Sequence, residues 1–136
     1  MDNTTIRRIL EESKTVAVVG LSANMSRPSY SATKYLLDNG YEIIPVNPNY
    51  DEILGQKCYP DLESIGRQVD IVNLFQRSEA VPAFVQPAIK LKAKTFWLQL
   101  GITHPEAESE ARAAGLEVIA DRCMKIEFAR LFPDNN

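Results

Sequence analysis

Residues Thr15 to Ser29 read T-V-A-V-V-G-L-S-A-N-M-S-R-P-S, and the fold turns on them. Val16, Ala17, Val18 and Val19 form an apolar run that stops at Gly20. A polar loop follows, and Pro28 opens a helical pattern, where a first-turn proline lacks only an N–H that needs no partner. The order is strand, glycine turn, helix N-terminus. Such a turn in a parallel sheet offers backbone N–H groups and the positive end of a helix dipole to an anion. A phosphate is the expected ligand there.

Outward from this stretch, strands and helices alternate. A charged helix with Ile6, Ile9 and Leu10 on one stripe precedes the first strand, which spans 15–20. The first crossover helix covers 28–39 and exits at Gly40; a second strand over 41–46 contains Pro45, expected near its end or with its missing N–H facing no neighbour. The stretch 47–66 is irregular, with small extended pieces at 53–55 and 58–60 and one helical turn capped by Asp61. A third strand spans 69–75. Ser78 is expected to cap a helix to Leu91, kinked between Ala83 and Pro87 because an interior proline removes a hydrogen bond. A strand over 95–100 ends at Gly101, and Thr103 is expected to cap a helix to Ala114 whose Glu106, Glu108 and Glu110 form a solvated face. A fifth strand over 116–120 and a helix over 125–132, offering Ile126, Ala129 and Leu131 to the core, precede a frayed tail over 133–136. The pattern predicts one α/β domain over 1–136, with a Rossmann-like, doubly wound, five-stranded parallel sheet in three α/β/α layers. Ligands of such sheets bind at the carboxyl edge where strand order reverses.

Composition narrows the function. The chain has 136 residues, 45% hydrophobic and 24% charged, and a net charge of −3, which argues against a nucleic-acid face. Cys58 and Cys123 are too few for a disulfide framework, no His, Cys and carboxylate cluster has metal-ligand spacing, and no apolar stretch approaches membrane-spanning length. The start lacks a secretory pattern, so a reduced, cytoplasmic location without membrane attachment is expected.

The strand ends supply the candidate site: Gly20, Leu21, Ser22, Arg27, Pro28 and Ser29 after the first, Asn47 and Pro48 after the second, Gln76 and Arg77 after the third, Gln99, Leu100 and Gly101 after the fourth, Asp121, Arg122 and Cys123 after the fifth. A dinucleotide fingerprint fails, because Ser22 replaces its middle glycine and the second strand closes on Asn47-Pro48 rather than a carboxylate. Phosphate binding survives through Gly20, the Ser22 and Ser29 hydroxyls, and a bidentate Arg27. A plain tight turn and a solvated arginine would be the bland alternative. His104 reads as a local helix-end contact rather than a crevice group. Cys123 beside Arg122 reads as an inert thiol before a reactive one. Asp121 reads as a structural carboxylate. No catalytic constellation is found.

The stretches Val16-Ala17-Val18-Val19-Gly20-Leu21-Ser22, Arg27-Pro28-Ser29-Tyr30, Ile44-Pro45-Val46-Asn47-Pro48, Trp97-Leu98-Gln99-Leu100-Gly101-Ile102 and Asp121-Arg122-Cys123-Met124-Lys125, in this order, closely resemble the stand-alone CoA-binding-domain proteins. Their fold is that of the N-terminal domain of the succinyl-CoA synthetase alpha subunit. The resemblance implies that coenzyme A or an acyl-CoA binds, with its diphosphate on 20–29, its adenosine by Val46, Asn47, Pro48, Phe75 and Arg77, and its pantetheine arm along 99–101 and 121–123. It implies a carrier, sensor or regulatory role with a nucleotide cofactor as partner. An NAD(P) oxidoreductase, or a CoA-dependent transferase subunit completed by a protein partner, is the alternative; an interaction domain with a vestigial crevice is a third. A basic residue expected after Asn47-Pro48 is Asn49 here, leaving the ribose 3′-phosphate to Lys57 or Arg77.

Overall fold

Asp2 starts the first helix because its carboxylate accepts the Thr5 N–H at 2.8 Å. That helix, α1 (Asn3–Glu12), buries Ile6, Ile9 and Leu10. The computed structural model describes residues 2–135, without the side chain of Asn135; the end of the expected tail, Asn136, lies outside them. Next come β1 (Thr15–Val19), α2 (Pro28–Asp38), β2 (Glu42–Val46) and a hairpin of β3 (Glu52–Ile53) and β4 (Gln56–Lys57). The rest comprises β5 (Ile71–Leu74), α3 (Val85–Lys90), β6 (Thr95–Leu98), α4 (Pro105–Ala113), β7 (Glu117–Ile119) and α5 (Met124–Leu131). Among the described residues no helix is long and apolar enough to cross a membrane.

The main sheet has the order β2-β1-β5-β6-β7, and every pairing in it is parallel. It is the expected Rossmann-like α/β architecture. Strand side chains alternate between two cores. Ala17, Val19, Val72, Leu74, Phe96 and Leu98 meet α3 and α4 on one face. Val16, Val18, Ile71 and Trp97 meet α1, α2 and α5 on the other. Trp97 is fully buried, with its indole N–H satisfied by the Arg122 carbonyl at 2.8 Å. Strand order reverses between β1 and β5, so the switch point lies where Gly20 and Phe75 leave the sheet.

Pro45 is tolerated because β2 is an edge strand. Its carbonyl accepts the Tyr59 N–H on the outer side, and its missing N–H falls on that side too, away from β1.

Several helix boundaries differ from expectation, each for a local reason. Two prolines split the second crossover. Residues Ser78–Phe84 form a 3₁₀ helix around Pro82, and α3 begins at Val85 with Pro87 in its first turn, where its missing donor is harmless. Ser78 caps nothing; its hydroxyl accepts the Thr103 N–H at 3.3 Å. His104, not Thr103, caps α4. Its Nδ1 accepts the Ala107 N–H at 3.1 Å, while Glu108 accepts the His104 N–H at 2.8 Å, a reciprocal cap. Glu108 is therefore buried, whereas Glu106 and Glu110 stay exposed. In α5, Met124, Glu127 and Phe128 take the core positions, and Ile126 is 51% exposed.

At the opposite edge, Asp70 ties three strand starts together. Its carboxylate accepts the Lys14 and Thr15 N–H groups at 2.7 and 3.1 Å, and its own N–H donates to the Thr15 hydroxyl. Burial pushes this carboxyl up, but those N–H bonds, with Lys94 nearby, outweigh it and hold it below the usual value. A depressed folded-state pKa adds stability that is present above the unfolded value, near 3.9, and is lost as pH falls through the folded one. Stability is expected to decline over that acid range, and Asp70→Asn to flatten the decline, as followed by denaturant midpoints between about pH 5 and pH 2.

Candidate functional site

The loop after β1 is organised by its own polar side chains. Ser29 Oγ accepts the Ser22 N–H at 3.1 Å, Ser22 Oγ accepts the Asn24 N–H at 3.0 Å, and Asn24 Oδ1 accepts the Ser26 N–H at 3.0 Å. Gly20 continues the ladder by donating to the Val46 carbonyl at 2.9 Å. Many of the N–H groups expected to face an anion are thus already engaged. What the loop presents instead is Arg27, the residue preceding α2. It is exposed, and its guanidinium makes no ion pair with any described residue. With Gly20, Ser22, Pro28, Ser29 and Phe75 it lines a cleft of about 320 Å³.

Two larger clefts adjoin this one. Toward β2, about 530 Å³ is bounded by Val46, Asn47, Pro48, Asn49, Pro60 and Asp61, with Gly20, Phe75, Gln76 and Phe84. Toward α5, about 730 Å³ is bounded mainly by apolar groups: Pro28, Ala32, Phe75, Leu100, Ile102 and Ile126, with Gln76, Arg77, Gln99 and Cys123. Phe75 borders all three. Together they make one groove along the carboxyl edge, passing over the switch point. Its end beside β2 is mixed, with Asn47, Asn49 and Asp61 among apolar groups; its middle holds the Arg27 cation, and its end beside α5 is apolar.

Of the expected residues, Gly20, Ser22, Arg27, Pro28, Ser29, Val46, Asn47, Pro48, Phe75, Arg77, Gln99, Leu100 and Cys123 border this groove. Leu21 does not; its side chain is fully buried against α1, α2 and α5. Gly101 does not either; its N–H donates to Asp121 Oδ1 at 2.6 Å, joining the turns after β6 and β7. Arg77 lies at the apolar compartment rather than beside Asn47, near Glu79 at 3.8 Å. Asn47 has a positioning role as well. Its Nδ2 donates to the Leu21 carbonyl at 3.0 Å and its Oδ1 accepts the Asn49 N–H at 3.0 Å, which ties the β1 loop to the end of β2. Gln99 is buried, and its Oε1 accepts the Met124 N–H at 3.1 Å, holding the start of α5. Cys123 precedes that helix. The neighbouring Arg122 guanidinium turns away to the buried Glu127 at 3.2 Å.

Pro60, Asp61, Phe84 and Ile126 were not expected at the groove. The first two arrive through the parallel bridge of Tyr59 to Val46, a long-range contact with no local signature. Ile126 reaches the groove because Met124, Glu127 and Phe128 take the core face of α5 instead.

A model of the CoA-binding domain matches residues 14–129, most of the chain and all five strands of the sheet. The chain belongs to the CoA-binding domain family. An uncharacterised protein of Bacillus subtilis, YneT, is 44% identical over 124 residues, which is 91% of this chain and 92% of that one. A hypothetical protein from Pyrococcus horikoshii, of known structure, is 40% identical with a TM-score of 0.93, over 96% of this chain and 92% of that one. An acetate–CoA ligase (ADP-forming) of Archaeoglobus fulgidus is 40% identical over 78 residues, 56% of this chain but 11% of that enzyme. The CoA-binding domain thus occurs both at about this length and as a small part of a larger ligase.

Proposed function

We propose that this CoA-binding domain takes coenzyme A or an acyl-CoA along the carboxyl-edge groove, as a carrier, sensor or regulator without catalysis of its own. The observation that carries the reading is the groove's division. An arginine with no ion pair among the described residues sits between a mixed compartment holding Asn47 and Asn49 and an apolar one, as a ligand with a diphosphate between a nucleoside and a flexible arm requires. Arg27, Ser22 and Ser29 would hold the diphosphate. Val46, Asn47 and Pro48 would flank the adenosine. Phe75, Gln99, Leu100 and Cys123 would line the arm, whose thiol carries acyl groups as thioesters. Among the described residues, the groove brings together no nucleophile with a hydrogen-bonded base. His104 and Asp121 are both used locally, as a helix cap and a turn clamp.

An NAD(P) oxidoreductase is less well supported, because β2 closes on Asn47-Pro48 and the compartment beyond the arginine is apolar. A CoA-dependent transferase completed by a protein partner stays compatible with the groove. Thermal shift separates these readings. CoA at about one hundred times its dissociation constant adds about 2.7 kcal/mol of stability. The melting point is expected to rise with CoA and to stay put with NAD. A rise with NAD alone would sink the CoA reading.

A further inference from the structure

Free CoA carries a ribose 3′-phosphate, and the compartment beside Asn47 has the wrong charge for it. The bridge of Tyr59 to Val46 lays the chain after the β3–β4 hairpin along the outer side of β2. Pro60 and Asp61 are thereby delivered to the carboxyl edge beside Asn47 and Pro48. Asp61 is the single charged group among the described residues lining that compartment. The Ser64 hydroxyl and N–H both donate to its Oδ1, at 2.6 and 2.8 Å, and hold the carboxyl below its ordinary value, so it is ionised at neutral pH. No cation is among the described residues that line that compartment. Lys57 sits over the Tyr59 ring at 4.9 Å, Arg77 borders the apolar compartment, and Arg27 borders the middle one.

Resting on the CoA reading above, we infer that the site recognises the ADP end of a pantetheine ligand without gripping the 3′-phosphate, and that Asp61 disfavours that phosphate. Dephospho-CoA then binds more tightly than CoA when screening is weak. Two like charges near a wet surface interact modestly and are screened within about 10 Å at 0.1 M salt.

The test is calorimetric titration of the purified protein with CoA and with dephospho-CoA at about 20 mM and about 500 mM salt. Dephospho-CoA is expected to bind about two- to fivefold tighter at low salt, with the ratio approaching one at high salt. Weakening of the Arg27 contact by salt affects both ligands and cancels in the ratio. In Asp61→Asn the ratio is expected near one at both salts, because asparagine keeps the oxygen that Ser64 uses. Equal binding, or tighter binding of CoA, by the wild type at low salt overturns the inference while leaving the CoA reading intact. An unchanged ratio in Asp61→Asn also overturns it. Failure of both ligands to bind removes the CoA reading, and this inference with it.

Discussion

Replacing Arg27 by alanine is expected to weaken CoA binding by about 1.5–3 kcal/mol, roughly 10- to 150-fold, the scale of hydrogen bonds to a charged group. The expectation follows from what the side chain does and does not touch. It borders the middle compartment with Ser22 and Ser29, and it has no carboxylate partner among the described residues. Its backbone, by contrast, is structural: its carbonyl accepts the Tyr30 N–H at 3.0 Å at the start of α2. Alanine keeps that bond. The substitution should therefore leave folding stability within about 0.5 kcal/mol of wild type, as for other surface changes. Arg27→Lys should fall between the two, since a point charge remains but the planar two-pronged donor is lost. Titration calorimetry with CoA, beside a urea melt, separates binding from folding. An Arg27→Ala protein with wild-type affinity would take the arginine out of the site and leave the middle compartment without its anion-binding group.

Gly20→Ala should cost about 3–5 kcal/mol of stability, from a left-handed backbone together with overpacking. Gly20 has φ +85°, and an added Cβ would stand 2.3 Å from the Phe75 carbonyl oxygen and 2.7 Å from Gln76 Nε2. The side chain of Gln76 can move; the Phe75 carbonyl cannot without shifting the turn after β5. Phe75 borders all three compartments, so any surviving fold should also bind CoA more weakly. Gly40→Ala is the matched control. Its φ is +98°, but nothing lies within 4 Å of the added Cβ, so only the conformational cost of about 1–2 kcal/mol is expected. Urea melts of the two variants compare the costs. A Gly20→Ala protein no less stable than Gly40→Ala would show that the close approach at the switch point does not constrain the fold.

These two residues illustrate how the site is encoded. Gly20 was legible as a turn glycine from the apolar run that ends there, but the reason it must be glycine was not. The sequence suggests close approach by a phosphate, whereas the atom that excludes a side chain is a carbonyl 55 positions further along the chain. Leu21 lies next to the glycine and was expected at the ligand, yet it turns into the core against α1, α2 and α5. Which way a loop residue points is not periodic, so neighbouring positions did not reveal it. His104 and Glu108 show a milder case. Both capping residues lie within the four-residue spacing of a reciprocal cap, so the pattern was present locally, although Thr103 competed for the same role.

By itself the sequence determined the α/β class, the five parallel strands, and the strand ends that border the groove. These follow from short-range chemistry: apolar runs covered on both faces, glycine and proline at turns, and charged helix stripes. The resemblance carried by its ordered motifs extended this to the CoA-binding domain family. Only the tertiary structure decided that the three compartments join at Phe75, that Arg77 sits with the apolar one, and that Asp61 rather than a cation stands beside Asn47. The physical reason is common to all three. Each depends on which distant segments the sheet order and the Tyr59–Val46 bridge bring side by side, and pairing between segments far apart leaves no periodic trace in either one.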